Sequence, residues 1–593
     1  MHATGLQTFR LGLLCVVAAA ATVMALAITD VPFFTKGEPR EALVVQQMAA
    51  TGNLVLPLLE RGEIQSKPPL FHWLGVGLSK ILGAVTETTV RLPSLAASVA
   101  ILIVTGLTGL RRAGPAAGLI AAIMLSTSML WLQASTIARV DMVLAATTAG
   151  ALMAFDRAWS DSEPRLPTMF WLLGGLGVLA KGPVGLAVPV VVIASYLLVR
   201  GEARRLADRR TLNLPAALAG LALPLLWYVP AAIEGGNAFL AKHLLAENLL
   251  RVVDAEGSGA GHVKPAWFYI PALFAGFAPW SVLTPAAAAD DWRRGHRCRE
   301  DGTVLWWTWI AVTVLMYSVA GSKRSVYLLS CYPALALATG AWFARRFTGP
   351  RPLAPHPSLP KSVTFFPAVL MALAGLMISL EACSLPALSA LSPLLSRHDA
   401  ANLGVVIETM HLRPAPWLIG SVALVAAARM LALAGREGRP LTAFATVAAS
   451  MILASAAIGS AALPAMAKRA SVRALLEPWH SRIAADEQLL FFERFDYLEY
   501  VQPAVTYYAG RSVPVRDDSE VLGRSGRSWL LVTQSRFDEL RRAAAREGVT
   551  SVRIASRLDH GAGSGREPLL LVEIEVPVGR PADVAVPAEM KRR

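Results

Sequence analysis

Apolar runs of about 20 residues, separated by short arginine-rich stretches, recur along most of this chain. A run of that length crosses a bilayer as an α-helix, because a helix satisfies its own backbone hydrogen bonds where water is absent. The pattern predicts about thirteen transmembrane helices, and 168–199 is either two short helices around Lys181-Gly182-Pro183 or one kinked helix. The candidate spans are roughly 11–29, 93–110, 114–132, 136–155, 168–180, 183–199, 212–232, 266–288, 303–320, 326–343, 362–380, 416–434 and 441–463.

The composition excludes the main soluble alternatives. Of the 593 residues, 54% are hydrophobic and 17% are charged, whereas a soluble domain carries about 25% charged residues. One soluble core cannot hold so much apolar sequence, and a disordered chain would have low hydropathy. The net charge of +14 does not indicate nucleic-acid binding, because DNA-binding proteins do not carry such long apolar runs. The four cysteines are too few and too scattered for a disulfide framework or a zinc site.

The arginine-rich connections predict the orientation in the membrane. Lys and Arg are enriched in cytoplasmic loops, and placing the N-terminus inside puts nearly all of these connections on the cytoplasmic side. The first run is long and has no polar end region, which favours an uncleaved anchor over a signal peptide. An odd number of spans then places the C-terminus outside the cytoplasm. The basic connections are Arg111-Arg112, the stretch around Arg157 and Arg165, 200–210, 293–299, 345–361 and 436–439.

The sequence changes character near residue 466. Strand-like apolar runs at 489–492, 528–532 and 569–576 alternate with an amphipathic helix at 537–547 that Gly548 would end. This alternation of strand-like runs with an amphipathic helix predicts a small soluble α/β domain. The predicted organisation is a transmembrane domain, 1–465, with external loops at 30–92 and 233–265, followed by an extracytoplasmic α/β domain, 466–593.

A minority of the basic residues lies on the side that the charge rule predicts to be external. Placing an ionisable side chain within the membrane costs free energy, so such residues are usually functional. A set of cations from separate places on one face indicates a site for an anion, although a single one of them is as readily explained by snorkelling to lipid headgroups. The residues are Arg40, Lys67, Arg139, Lys181, Arg251, Lys264, Lys323 and Arg324.

The first external loop contains two motifs that bear on this site. Pro39 suits the first turn of a helix and Gly52 its end, so Arg40 lies where the helix dipole disfavours a cation. An anion bound by Arg40 and the helix amides would explain that position, and pairing of Arg40 with Glu38 or Glu41 is the alternative. Further on, two prolines directly after Lys67 give its ammonium a stiff support.

These motifs, in this order, resemble those of bacterial polyprenyl-phosphate-dependent glycosyltransferases of the aminoarabinose-transferase type, which are related to protein O-mannosyltransferases and have the GT-C fold. The resemblance covers roughly residues 10–345. Its segments are Gly37 to Ala42, 52–57, Ser66 to Trp73, Ala138 to Met142, Ala180 to Gly185, Glu247 to Arg251, His262 to Tyr269 and Lys323 to Leu329. It implies an α-helical polytopic membrane protein of the GT-C type with a C-terminal soluble domain.

The first loop departs from the family pattern at one position. The family has an Asp-Glu pair there, with the Asp at the catalytic centre, and this chain has Gly37-Glu38. In this chain the catalytic carboxylate would have to be Glu38, Asp141 or Asp30, the last if the loop folds back. Otherwise the chain has altered chemistry or is inactive. Asp141 has a second interpretation, a structural ion pair with Arg139 or another cation.

The resemblance implies roles for the external residues. The substrate would be a sugar on a polyprenyl phosphate, and the acceptor an envelope lipid, glycan or protein. Glu38 and Asp141 are the catalytic candidates, since a carboxylate should accept the acceptor's proton. The donor phosphate would be bound by Arg40, Lys67, Lys181, Arg251, Lys323 and Arg324. The substrate pocket would include Glu247, His262, Arg139 and Tyr327.

No cofactor is expected, because the polyprenyl-phosphate sugar is itself a substrate, and the chain has no P-loop motif for a nucleotide. No cluster with metal-ligand spacing requires a divalent metal, and metal dependence stays open. Two other functions remain open: a transporter or flippase for an anionic lipid or solute, and a non-catalytic envelope assembly protein. Transporters often show inverted repeats and midplane charges, and neither is visible here. The expected location is the bacterial inner membrane.

Overall fold

The computed structural model describes residues 3–35, 37–56, 58–59, 63–161, 165–243, 264–295, 302–348, 361–395, 397–484, 486–495, 497–517, 521–522, 526–547, 549, 551–559 and 567–576. The chain forms two compact units. The first comprises Met1–Asp30, Val44–Cys383 and Arg413–Ala461. The second comprises Val31–Leu43, Ser384–Leu412 and Ala462–Arg593. The second unit therefore takes in part of the first predicted loop as well as the predicted C-terminal domain.

The first unit is built from apolar helices, which lie at the predicted spans except for Leu70–Leu82, a helix inside the predicted loop 30–92. They are Ala3–Ile28, Leu70–Leu82, Glu87–Ala113, Pro115–Ser126, Met129–Ser135, Val140–Ser160, Thr168–Lys181, Val184–Val199, Leu214–Leu240, Tyr269–Gly276, Thr284–Arg294, Thr303–Val319, Tyr332–Phe347, Lys361–Ala382, Pro414–Arg436 and Pro440–Ala457. Shorter 3₁₀ turns connect several of them, including Ala266–Phe268 and Ser325–Cys331.

Six helices of the described residues are long and apolar enough to cross a membrane, or up to eight if each of two bent pairs is one span. The bent pairs are Pro115–Ser126 with Met129–Ser135, at 65°, and Ala266–Gly276 with Trp280–Arg294, at 113°. The chain is therefore a multi-pass membrane protein, and the count of thirteen spans stays a prediction. The 168–199 region forms two helices, which was one of the two predicted arrangements.

The Tyr332–Phe347 helix lies at the centre of the first unit. Every residue from Tyr332 to Ala344 is buried, which fits a helix enclosed by other helices on all sides. Close helix contacts use glycine. A Cβ on Gly185 would come within 2.1 Å of the backbone carbonyl carbon of Gly177, so only glycine allows these two helices to pack at that distance.

The second unit contains a five-stranded mixed sheet of order β4-β3-β5-β7-β6. Its strands are β3 (Gln488–Phe492), β4 (Val515–Arg516), β5 (Gly526–Thr533), β6 (Ser551–Leu558) and β7 (Leu569–Val576). Strand β3 runs parallel to β4 and β5, and the other pairs are antiparallel. A separate two-residue hairpin, β1 (Leu58–Leu59) and β2 (Glu63–Ile64), lies in the first unit.

Both faces of this sheet are covered, which explains the unbroken apolar runs that predicted the strands. Alternate residues of a strand point to opposite faces. Leu489, Phe491, Trp529 and Leu531 belong to the hydrophobic cluster on one face, together with the helix Leu498–Ala509. The other face holds the cluster of Leu490, Phe492, Leu530 and Val532, packed against the helix Gln534–Arg546. The predicted strands at 489–492, 528–532 and 569–576 are confirmed, and the helix predicted at 537–547 begins three residues earlier.

The start of the first predicted loop packs within the second unit. The backbone N–H of Phe33 donates to the Tyr508 hydroxyl at 2.8 Å, and its ring contacts Tyr507 edge-on at 5.2 Å. The predicted helix of this loop forms as Glu38–Thr51, and Gly52 follows it with a φ of +73°. A left-handed residue of this kind commonly ends a helix, and glycine adopts it without strain.

A candidate anion site built from three cations and one carboxylate

Asp141 is held at the start of the helix Val140–Ser160. The preceding residue, Arg139, is the extended N-cap, and its carbonyl accepts a hydrogen bond from the Ser94 hydroxyl at 3.3 Å. The first turn of a helix favours a negative charge, because its unpaired N–H groups and dipole are positive. The Asp141 side chain is only 7% exposed, so its ionised form depends on the cations around it.

Lys181 reaches this carboxylate from the end of another helix. It lies in the last turn of Thr168–Lys181, and Gly182, with a φ of +91°, turns the chain directly into Val184–Val199. The ammonium of Lys181 donates a hydrogen bond to Oδ1 of Asp141. It also lies 4.1 Å from the centre of the Tyr327 ring, a cation–π contact.

Two further cations act on the same carboxylate. The guanidinium Nε of Arg139 lies 3.4 Å from Oδ2 of Asp141, and the charge of Arg324 contributes a favourable electrostatic interaction with it. Arg139, Lys181 and Arg324 come from three separate segments, all predicted to be external. We call these three residues with Asp141 the cation cluster. Three positive charges sharing one carboxylate leave a local positive excess, which is what an anion site requires.

A short turn carries Arg324 and Tyr327 into the cation cluster. Arg324 is extended and immediately precedes the 3₁₀ helix Ser325–Cys331, which contains Tyr327. The backbone N–H of Arg324 donates to the Tyr269 hydroxyl at 3.2 Å. Lys323 is buried, and its ammonium donates to the Ala320 carbonyl at 2.7 Å, so it closes the turn.

Two tyrosines of this region have no role in the sequence prediction. Tyr269 is fully buried, and its ring centre lies 6.3 Å from that of Tyr317. Tyr317 in turn lies 5.3 Å from Tyr327, ring centre to ring centre. Tyr269 falls inside one of the family-like segments, but no local pattern in the sequence pairs it with residues 55 positions away.

Glu38 and Arg40 of the first predicted loop lie in the second unit, whereas Asp30 lies in the first. Glu38 begins its helix with 1% exposure and accepts a hydrogen bond from the Thr35 hydroxyl at 2.9 Å. Arg40 is exposed. Binding of an anion by Arg40 and its pairing with Glu38 or Glu41 both stay predictions. Asp30 is exposed, with a φ of +53°.

The remaining predicted residues are distributed as follows. Lys67 is half-buried in the turn between β2 and the helix Leu70–Leu82, and Pro69 occupies the N-cap position of that helix. Glu247, Arg251 and His262 lie outside the described residues. No group of three metal-ligating side chains occurs in the described part of the chain.

Comparison with known proteins gives matches to both sequence and fold. Residues 66–228 match the family model for dolichyl-phosphate-mannose-protein mannosyltransferases. A curated relative from Edwardsiella ictaluri, an undecaprenyl phosphate-alpha-4-amino-4-deoxy-L-arabinose arabinosyl transferase, is 26% identical over 317 residues, which are 53% of this chain and 55% of that protein. The corresponding protein of Erwinia tasmaniensis is 27% identical over 51% of this chain and 53% of that protein. The chain thus spans about half the length of the curated relatives it matches.

The fold extends further than the sequence similarity. The crystal structure of ArnT from Cupriavidus metallidurans bound to undecaprenyl phosphate superposes with a TM-score of 0.70, at 17% identity, over 94% of this chain and 97% of that chain. The apo structure gives a TM-score of 0.69 at 16% identity.

The fold and the sequence matches define the class: the chain is a GT-C membrane protein related to the polyprenyl-phosphate glycosyltransferases. Within that class, the curated relatives to which it is similar are aminoarabinose transferases. The resemblance inferred from the short motifs is thereby confirmed. The transporter alternative is not favoured by these matches.

Proposed function

We propose that this protein is a membrane glycosyltransferase that moves a sugar from a polyprenyl-phosphate donor to an envelope acceptor at the outer face of the inner membrane. The observation that carries the proposal is the cation cluster. Lys181 bonds Asp141, Arg139 lies 3.4 Å from it, and the charge of Arg324 favours the same carboxylate, so positive charge is in excess there. This combination suits a lipid-linked phosphate, because the phosphate would bind to the cations while the polyprenyl chain stays in the bilayer.

In the proposed reaction the cations stabilise the leaving group. An acceptor oxygen attacks the anomeric carbon of the sugar, the bond from that carbon to the phosphate oxygen breaks, and the electron pair goes to the polyprenyl phosphate. Fixed positive groups aimed at the developing charge stabilise that transition state, typically by a large factor. Arg324 suits bidentate phosphate contacts, whereas Lys181 acts as a point charge.

Asp141 is better suited to arranging cations than to accepting a proton. Its carboxylate already bonds the Lys181 ammonium and lies 3.4 Å from Arg139, and two cations at that distance stabilise the ionised form and make it a weak base. We therefore propose Glu38 as the acceptor of the proton released by the acceptor hydroxyl. Arg40, Lys67 and Arg251 remain proposed donor-phosphate ligands, and Glu247 and His262 proposed pocket residues.

The proposal includes the placement in the envelope. The N-terminus is cytoplasmic, the second unit is extracytoplasmic, and no cofactor is required because side-chain cations serve the phosphate. The acceptor is an envelope lipid, glycan or protein. The first donor to test is undecaprenyl phosphate carrying 4-amino-4-deoxy-L-arabinose, the sugar in the names of the related transferases.

The test is transfer by the purified full chain in lipid nanodiscs, with that donor and with extracted envelope lipids, glycans and proteins as acceptors. We expect transfer by the wild type and a loss of about 10²- to 10⁴-fold in Glu38→Gln, the usual contribution of a general base. Asn53→Ala, a substitution elsewhere in the same loop, is the control and should stay near wild type. Absence of transfer to every acceptor, together with no binding of undecaprenyl phosphate, would overturn the proposal.

A further inference from the structure

Tyr269 connects the bent helical pair 266–294 to the turn that carries Arg324. Its hydroxyl accepts the backbone N–H of Arg324 at 3.2 Å, and the tyrosine itself has no exposed surface. A buried backbone N–H must be paired, because leaving it without a partner costs about as much as losing a hydrogen bond. The hydroxyl of Tyr269 therefore fixes the backbone from which the Arg324 side chain leaves.

The turn is restrained at both of its basic residues. Lys323 uses its ammonium to bond the Ala320 carbonyl at 2.7 Å, and Arg324 uses its N–H to bond Tyr269. The ring of Tyr269 continues through Tyr317 to Tyr327, the ring that lies beneath the Lys181 ammonium. Tyr269 thus bonds the backbone of Arg324 directly and is connected to the ring under Lys181 through Tyr317.

We propose that Tyr269 is a positioning residue of the phosphate site: its hydroxyl holds Arg324 at the place where the polyprenyl phosphate binds. The inference rests on the proposed function, since it assumes that the cation cluster binds that phosphate. Tyr269 does not touch the phosphate in this assignment. It acts through the backbone of Arg324, so every effect of removing its hydroxyl should require the Arg324 side chain.

The chain offers a matched control for the hydroxyl. Tyr332 is also fully buried, and its hydroxyl has no hydrogen-bond partner among the described residues. Tyr269→Phe and Tyr332→Phe therefore remove the same atom from equally buried rings. Only the first removal leaves a backbone N–H without its acceptor.

The experiment measures binding of undecaprenyl phosphate and sugar transfer by the full chain in nanodiscs. We expect Tyr269→Phe to weaken binding and to lower kcat/KM by about threefold to tenfold, the usual net contribution of one hydrogen bond. Tyr332→Phe should match the wild type in both measurements. In the Arg324→Ala background, Tyr269→Phe should cause no further loss, because coupled residues are not additive.

The outcomes separate the two proposals. A wild type that neither binds undecaprenyl phosphate nor transfers sugar overturns the proposed function and this inference with it. A wild type that binds and transfers, with Tyr269→Phe equal to it, overturns the inference alone. Equal losses from Tyr269→Phe with and without Arg324 would also overturn it, since they would show a general structural role.

Discussion

Basic residues meet carboxylates at two places in the first unit, and the two arrangements differ. We call the first the arginine–aspartate belt: Arg111 with Asp161, Arg112 with Asp156, and Arg345 with Asp291, near the predicted cytoplasmic ends of the helices. The second is the cation cluster around Asp141, at ends predicted to be external. In the belt the three arginines pair with three different carboxylates, whereas in the cluster three cations surround a single one.

The geometry of the belt indicates a structural purpose. Arg112 bonds Asp156 through both Nε, at 3.0 Å, and Nη2, and Nη2 also donates to the Asp156 backbone carbonyl at 3.3 Å. This fork joins the helix Glu87–Ala113 to Val140–Ser160. Asp291 similarly accepts from Arg294 at 3.2 Å and from the Trp307 indole at 3.1 Å, as well as from Arg345.

The contrast shows why a count of basic residues does not locate a functional site. Both regions are rich in arginine or lysine, and the charge rule for loops explains the belt without any ligand. What distinguishes the cluster is that cations from three separate segments surround a single carboxylate. The following predictions test that distinction, from the largest expected effect to the smallest.

Asp156→Asn should destabilise the protein most. The Asp156 side chain is 3% exposed, and removing one partner of a buried ion pair costs about 3–5 kcal/mol, because Arg112 keeps its charge. The midpoint of thermal unfolding in detergent should fall strongly, while transfer per folded molecule stays near the wild-type value. Asp161→Asn is the matched control, and a similar fall in that half-exposed variant would contradict the belt interpretation.

Among the substitutions in the belt and the cluster, Arg324→Ala should reduce activity most. Loss of one fixed donor to a developing anion typically costs about 10²- to 10³-fold in kcat. The midpoint of thermal unfolding should change little, since Arg324 is one of three cations around Asp141. The measurement is sugar transfer under saturating donor. Arg112→Ala serves as the opposite case, with lost stability and retained turnover per folded molecule; a comparable loss of turnover there would erase the difference between the two regions.

Tyr327→Leu should have an intermediate effect. It removes the ring face beneath the Lys181 ammonium, a contact worth about 0.5–2 kcal/mol when partly desolvated. Transfer should fall by about threefold to thirtyfold. Tyr327→Phe retains the ring face and should remain within about twofold of the wild type, since a phenyl face also attracts cations. If Tyr327→Phe loses as much transfer activity as Tyr327→Leu, the hydroxyl of Tyr327 is the group that matters, and the cation–π contact is not.

The sequence predicted the elements of this fold better than their contacts. The apolar helices and the strands β3, β5 and β7 were predictable because each buries a run of neighbouring residues. Strand β6 was missed because it is a largely exposed edge strand that carries Arg553 and Arg557. The helix Leu498–Ala509 was missed as well, and it contains Pro503, a residue that usually ends a helix.

In the candidate site, too, the individual residues were easier to predict than the contacts between them. Arg139, Lys181 and Arg324 could be grouped from the sequence because each breaks the charge rule on the same side. Their common partner, Asp141, was recognised as either a catalytic group or an ion pair, and the structure shows the ion pair. The bond between Tyr269 and Arg324 had no sequence signal, because a hydroxyl that accepts a distant backbone N–H leaves no local pattern.

Arg111→Ala should have the smallest effect of these substitutions. The Arg111 and Asp161 side chains are 38% and 51% exposed, and an ion pair of that exposure contributes about 0.2–1 kcal/mol, less at high salt. The midpoint of thermal unfolding should fall by a few degrees at most at low salt, and the difference from the wild type should shrink in 1 M NaCl. Transfer should be unchanged at both salt concentrations. A salt-independent loss of stability would show that this outer pair of the belt stabilises the fold as strongly as Arg112 with Asp156, and the belt would then be one continuous network.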